Sequence, residues 1–359
     1  MGLYVDDFAF FSYSNAVEEK FRTLLNAEYT VSYDDSLEWF LGMKFDWKET
    51  PDALKYHVHQ EAFILDIVDR YGLTDCNKST RATPFMSGFP VDNIRPLVLP
   101  EDQQNQLTKQ YQQLIDDLSW LSISTRPDIT AIVSLLSAHS HRPSPAHIES
   151  ACHVVKYLAS TASFGLYYTS DKNENFHAFV HFPTDETNAL QAYCGANWGP
   201  MDASVPKPDA VPLEQSIESL RSLSRWFIMN AGAPIAWGCA RHKDTAQSSC
   251  QAEVHSINQT TKLILEYKLL FRDIDLPAQQ PTRRTRHMDI KHFASTDWVE
   301  RDLLIMKRIN TSDNSSDAMT KAQGRQLHYR HTDYVLGKII PSYAAAYTKH
   351  THTTIPSTV

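Results

Sequence analysis

The sequence predicts an α+β protein built as more than one unit. Three observations carry that expectation. Short apolar runs bounded by polar or turn-forming residues read as strands, as at Leu3-Tyr4-Val5, Tyr56 to His59, Leu190 to Cys194 and Trp226 to Asn230. Between them lie segments whose apolar residues recur three and four positions apart, the spacing of an amphipathic helix; Leu107, Tyr111, Leu114, Ile115, Leu118 and Leu121 are the cleanest case. The length of 359 residues corresponds to two or three domains at roughly 150 residues each.

Taken in order, Leu3-Tyr4-Val5, the acidic pair Asp6-Asp7 and Phe8-Ala9-Phe10-Phe11 read as strand, tight turn and strand. Ala16 to Tyr29 reads as a helix with Phe21, Leu24 and Leu25 on one face. Leu37 to Trp47 reads as a single strand, with Gly42 allowing a bulge or a close approach. After a short strand at Tyr56 to His59 comes a helix from Gln60 to Tyr71, with Phe63, Ile64, Ile67 and Val68 at helical spacing and Gly72 after its end. Residues 86–106 are polar, irregular and Pro-containing, which reads as a linker.

The helical block follows. Thr125-Arg126-Pro127-Asp128 interrupts it, and Ile129 to Ser140 and Pro145 to Ser160 supply two more helices, with Pro145 suited to a first turn. Strands return at Phe176 to Phe182, Leu190 to Cys194, Trp226 to Asn230 and Ala233 to Gly238. Pro200, Pro206, Pro208 and Pro212 mark a long loop among them. Ala252 to Phe271 reads as a long amphipathic helix, Leu303 to Ile309 as a strand, and Ser315 to Lys321 as the start of a final helix. The Thr- and His-rich tail after Ser342 is expected to be disordered.

Composition narrows the function classes. An apolar fraction of 42% with 21% charged residues excludes collagen, coiled coil and wholesale disorder. No apolar run reaches the roughly 18 residues of a membrane span, and the first residues lack the basic region of a signal peptide. The five cysteines, odd in number and scattered, argue against a disulfide framework and for reduced thiols. An intracellular protein with no membrane partner is therefore expected. The net charge of −8 argues against a broad basic surface but leaves room for a local basic patch at Arg283, Arg284 and Arg286.

Asp6-Asp7 is the sharpest chemical signal. Two carboxylates on a tight apolar hairpin repel, and a divalent cation relieves the repulsion. Asp is equally at home in an ordinary turn. Cys239-x2-His242 and Cys250-x4-His255 offer zinc-type ligands at a spacing that matches no finger or knuckle. Glu253 and Asp317 each follow a Ser-Ser pair at a helix start, where a carboxylate favours the helix dipole. No nucleophile elbow and no phosphate-cradling glycine loop is present.

Together these segments resemble the C-terminal part of the Pol polyprotein of copia-type LTR retrotransposons. Tyr4-Val5-Asp6-Asp7 is similar to the reverse-transcriptase palm motif, and Phe40-Leu41-Gly42-Met43 to the family's F-L-G segment. Trp120-Leu121 with Thr125-Arg126-Pro127-Asp128-Ile129 resembles its Y-L…T-R-P-D-I. Ala196-Asn197-Trp198, Ser248-Ser249-Cys250-Gln251-Ala252-Glu253, Thr285-Arg286-His287-Met288-Asp289-Ile290 and Asp317-Ala318-Met319-Thr320-Lys321 resemble successive blocks of its RNase H domain. The segments run collinearly through roughly residues 3–340.

The resemblance implies a partial reverse-transcriptase palm at 1–85, a linker at 86–106, a helical thumb or connection block at 107–175, an RNase H-like α/β domain with a mixed sheet at 176–325, and a C-terminal tail at 326–359. It implies Asp6 and Asp7 as polymerase remnants, and Glu253 and Asp317 as RNase H remnants, all four as ligands of Mg²⁺ or Mn²⁺. Asn197 stands where the family has a metal-binding Asp. The family's third RNase H carboxylate lies in a segment for which Pro281-Thr282-Arg283 leaves no room. Incomplete metal sites are expected from these departures, as is a chain inactive by itself as polymerase and nuclease. The implied partners are an RNA–DNA hybrid or other nucleic acid, met by Arg283, Arg284 and Arg286, and other Pol-derived chains that would complete the enzyme. A domesticated, non-catalytic nucleic-acid-binding or interaction module is the alternative.

Overall fold

The structure is a computed structural model. It describes residues 2–4, 7–10, 14–34, 36–51, 54–73, 82–86, 99–169, 190–197, 221–230, 233–273, 314–316 and 323–338. The architecture is α+β, with three antiparallel sheets among the described residues. No helix among them is long and apolar enough to cross a membrane.

The first sheet is a hairpin of β1 (Gly2–Tyr4) and β2 (Asp7–Ala9). Tyr4 pairs with Asp7, so Asp7 belongs to the second strand rather than to the expected turn, and two residues connect the strands. The hairpin is held by aromatic contacts to α1 (Asn15–Glu28). Phe10 stacks on Phe21 with centroids 4.5 Å apart, and Phe8 meets the same ring edge-on at 5.8 Å.

The second sheet runs β3 (Trp39–Phe40), β4 (Met43–Glu49), β5 (Leu54–His59) and β6 (Gly165–Thr169). The run 37–47, expected as one strand, is a hairpin. Phe40 pairs with Met43, and the two residues between them both have positive φ, 54° at Leu41 and 70° at Gly42. That is the backbone of a primed two-residue turn, whose twist matches the flanking strands. Leucine pays for the left-handed conformation, which is why its place in a turn is not obvious from residue type. The long-range partner of β5 is β6, a strand with no strong pattern of its own.

This sheet has two unlike faces, because successive side chains alternate. Met43, Phe45, Tyr56, Val58, Leu166 and Tyr168 form the apolar face. With Ile123 and the strand residues Ile235 and Trp237 they line a cavity of about 520 Å³. The opposite face carries Lys44, Asp46, His57, His59 and Tyr167.

The main core is helical: α2 (Glu61–Arg70), α3 (Glu101–Ser124), α4 (Thr130–Ser137) and α5 (Pro145–Ser160). Helix α3 begins at Glu101, six residues inside the expected linker. Pro100 holds an extended conformation ahead of it, and Glu101 and Asp102 place acidic groups on the first turn, where the helix dipole favours them. Of the expected 3-4 pattern, Tyr111, Leu114, Ile115, Leu118 and Leu121 are each at most 3% exposed, while Leu107 is half-buried. Ser144 and His147 form a reciprocal cap ahead of Pro145.

The turn Thr125–Ile129 is the polar centre of this core. Arg126 and Asp128 are 0% and 1% exposed. The guanidinium grips the carboxylate with two bonds, Nε to Oδ1 at 2.9 Å and Nη2 to Oδ2 at 2.7 Å. It also donates to Thr161 O at 3.0 Å and Thr161 Oγ1 at 2.7 Å. Tyr157 OH donates to Asp128 Oδ2 at 2.7 Å, and His328 Nε2 lies 3.0 Å from the Tyr157 oxygen.

The third sheet is β7 (Gln191–Asn197), β8 (Leu223–Asn230) and β9 (Ala233–Arg241). One face is packed by α6 (Ser249–Asp273) through Ala196, Ala246 and Ala252. The other receives α7 (Arg325–Val335), where Tyr334 and Val335 join Tyr193, Phe227 and Met229. Of the helix expected to begin at Ser315, only Ser315 and Ser316 are described, in a 3-10 turn, and residues 317–321 lie outside the described residues. A helix that the sequence did not suggest falls at 325–335, almost wholly within the expected tail, held by burial of His328, His331 and Tyr334. The strands expected at 176–182 and 303–309, the proline-rich loop and the tail after Ser342 lie outside the described residues.

The buried pair yields a pH prediction. Burial alone would raise the Asp128 carboxyl, but the Arg126 charge and the bonds from Arg126 and Tyr157 outweigh it and hold it below the usual range. A depressed carboxyl stabilises the fold above its unfolded value of about 3.9, and that contribution is lost as pH falls through the lower folded value. Asp128→Asn, leaving Arg126 buried and uncompensated, is expected to cost about 3–5 kcal/mol at pH 7 and to flatten the acid limb. Urea unfolding at pH 7 and across the acid range checks both.

Candidate functional site

The candidate site lies at one end of the third sheet. Asn197 is the last residue of β7, and Glu253 sits in the first turns of α6. In sequence β8 and β9 lie between them; the fold brings Glu253 to the residue next to Asn197. Glu253 Oε2 accepts the backbone N–H of Ala196 at 3.1 Å. Two contacts set this approach. Ser256 Oγ, one helical turn on, donates to Gly195 O at 2.8 Å, and Ala252 is fully buried against the strand.

Asn314 to Ser316 dock on the same strand. Asn314 Nδ2 donates to Cys194 O at 3.1 Å, while its Oδ1 accepts the Ser316 N–H and hydroxyl. Both serines are buried, at 1% and 0% exposed. Asp317, the next residue in sequence, lies outside the described residues, as do Asp6, Arg283, Arg284 and Arg286. Of Asp7 only the backbone is described, in β2.

The fold adds one group that the sequence reading missed. Arg225 of β8 is 2% exposed and pairs across the sheet with Gly195. Its Nε donates to Ser316 Oγ at 3.2 Å. A Cβ built on Gly195 would fall 2.6 Å from Arg225 Nη2, so the glycine is the space the guanidinium occupies. By strand alternation Gly195 and Asn197 share a face. A fixed positive charge thus lies two positions along from Asn197, on its side of the sheet. The available signal was an arginine inside the apolar run Leu223-Ser224-Arg225-Trp226-Phe227-Ile228-Met229.

At this sheet end Arg225, Ser315 and Ser316 are buried, whereas Glu253 is exposed and Asn197 half-buried. Burial pushes the Cys194 thiol up to about 11, with the Glu253 carboxylate adding to the rise and Arg225 opposing it. Burial likewise takes Cys239 to about 12. Both thiols are therefore protonated at neutral pH. His242 and His255 do come together, with ring centroids 4.4 Å apart. His242 Nε2 is occupied by Ser224 Oγ at 2.6 Å. Among the described residues, neither these groups nor Glu253 belong to a set of three with metal-ligand spacing.

Comparison with known proteins gives this geometry a relationship. The chain is 24% identical over 344 residues, 90% of its length, to the retrovirus-related Pol polyprotein from transposon RE1 of Arabidopsis thaliana. Its homologues include retrovirus-related Pol polyproteins of transposons. A second, from transposon TNT 1-94 of Nicotiana tabacum, is 20% identical over 341 residues. The putative transposon Ty5-1 protein of Saccharomyces cerevisiae is 24% identical over 262 residues, 72% of either chain. The chain spans about a fifth of the two plant polyproteins, 21% and 23% of their lengths. No family model matches the chain, and no solved structure does.

The Gly195–Arg225 contact is testable as a coupling. Gly195→Ala is expected to destabilise by about 1–3 kcal/mol through overpacking. In an Arg225→Ala background the same substitution is expected to cost less than half as much. A double-mutant cycle by denaturant unfolding measures the difference.

Proposed function

We propose that the chain is a retroelement-derived homologue of reverse transcriptase and RNase H whose RNase H-like module does not cleave RNA–DNA hybrid by itself. The observation that carries this reading is the state of the sheet end at Asn197. Two-metal hydrolysis needs hard anionic oxygens converging on two dications about 4 Å apart. Asn197 offers a neutral amide oxygen, a poor ligand for Mg²⁺. Glu253 has one oxygen taken by the Ala196 N–H. The Arg225 guanidinium beside Gly195 adds a fixed charge of the wrong sign.

The described residues, Asn197, Glu253 and Arg225, therefore do not fit the Mg²⁺ or Mn²⁺ pair that the resemblance implies. Asp6, Asp7 and Asp317 are read as the remaining carboxylates of the ancestral polymerase and nuclease sites. Arg283, Arg284 and Arg286 are read as the contact to nucleic acid, and other Pol-derived chains as the partners that would restore activity.

Incubating the purified chain with a labelled RNA–DNA hybrid in Mg²⁺ and in Mn²⁺ tests the proposal. The expected outcome is no cleavage above that of Glu253→Gln. Cleavage that disappears in Glu253→Gln and in Asp317→Asn would overturn it. Asn197→Asp alone is expected to leave the chain inactive, since it restores one anion and leaves the guanidinium in place. Hybrid binding, followed by anisotropy, is expected to weaken with salt and to fall when Arg283, Arg284 and Arg286 are all changed to Ala.

A further inference from the structure

The polar face of the second sheet carries a cluster that the retroelement reading does not use. Asp46 of β4 pairs across the sheet with His57 of β5, and Lys44 pairs with His59. Two histidines at i and i+2 on one strand share a face, and the carboxylate comes from the neighbouring strand. One potential ligand atom from each of Asp46, His57 and His59 lies within 4.8 Å of the other two. We propose that these three residues bind a single divalent transition-metal ion, with zinc as the best match.

The donor set favours that class. Two imidazoles and one carboxylate suit Zn²⁺ and its neighbours rather than Mg²⁺ or Ca²⁺. Ligands about 2.1 Å from zinc stand roughly 3.4 Å apart in a tetrahedron. Asp46 Oδ2 is 3.0 Å from His59 Nε2, and no pair of the three ligand atoms is more than 4.8 Å apart. Three protein ligands leave one position for water. It is reached from the exposed side of Asp46, whose side chain is 51% accessible.

The sheet holds the rings ready. His57 stacks between His59 at 4.7 Å and Tyr167 at 4.2 Å. Gly165 makes room for this stack, since a Cβ there would lie 2.8 Å from His57 Nε2 and 2.7 Å from His59 Cβ. His57 Nε2 is buried without a hydrogen-bond partner, a cost that a ligand would relieve. Burial, and then the neighbouring His59, push the His57 imidazolium down to about 4. The ring is therefore neutral at pH 7, as a metal ligand must be.

Two charged groups oppose binding. Lys44 Nζ sits 2.9 Å from Asp46 Oδ1 and competes for the carboxylate. Lys338, on the segment that follows α7, contributes a weaker repulsion at His57. His59 Nδ1 accepts the Glu61 N–H at 3.3 Å. A metal at Nε2 would move the ring proton to Nδ1, and that long, weak bond would be given up.

Titration of the full chain with Co²⁺, followed by visible absorption and by Zn²⁺ displacement, tests the site. One equivalent should bind with tetrahedral d–d bands. Asp46→Asn and His57→Gln should each weaken binding at least tenfold. Lys44→Gln should tighten it, a gain that no merely structural role for the cluster would produce. Asp46 is exposed, so its variant carries the test if His57→Gln does not fold by circular dichroism. Absence of binding, or binding undiminished in Asp46→Asn, would overturn the proposal. No nucleic acid enters the measurement, so its failure is separate from that of the proposed function.

Discussion

The buried pair of Arg126 and Asp128 is the interaction on which the remainder of the molecule depends. It sits where α3 ends, where a short turn leads into α4 and where α5 terminates at Thr161. A charged pair in a dry core is a poor source of net stability, because desolvation offsets most of the attraction. What it supplies is position. Four hydrogen bonds from one planar guanidinium fix the Asp128 carboxylate to the carbonyl and hydroxyl of Thr161. Tyr157 and His328 then read that fixed point from two other elements. The apolar residues around it, from Leu121 to Leu158, can pack in many ways; the polar centre selects one.

Much of this fold was legible in the sequence, because most of its elements keep a single clean period. The helical block shows this best: Tyr111 to Leu121 repeats every three and four residues and is buried as that spacing requires. The long helix beginning near Ala252 and the pair of strands around residues 231–232 are legible for the same reason. The misread places share a different cause. At Leu41 the chain turns on a residue whose side chain disfavours the conformation, so residue type pointed the wrong way. Strand β6 exists because β5 offers an edge 106 or more residues away, and α7 exists because two other units bury its His and Tyr side chains. Tertiary context decides both, and no local pattern carries it.

The candidate site divides along the same line. Asn197 and Glu253 could be singled out because they stand within recognisable strings, and strand and helix periods place them at adjoining ends. Arg225 stands in no such string. Its importance comes from a cross-strand pairing with Gly195, and pairing register is a property of the folded sheet. The His57–Asp46 cluster was missed for the same reason, since its members are neighbours only across β4 and β5. A relationship to Pol polyproteins at 20–24% identity leaves room for such local replacements within a retained frame.

The contact between His328 and Tyr157 joins residues 171 positions apart, and Tyr334 reaches back to Tyr193 in the same way. During synthesis the helical block emerges long before α7 does. Its polar centre must therefore wait, with one face of Tyr157 and the outer surface of the third sheet uncovered, until the chain has grown past residue 335. Closing so large a loop is slow relative to local helix formation. Until then the apolar surface of Tyr193, Phe227 and Met229 that Tyr334 and Val335 cover stays open, the kind of surface through which partly folded chains aggregate.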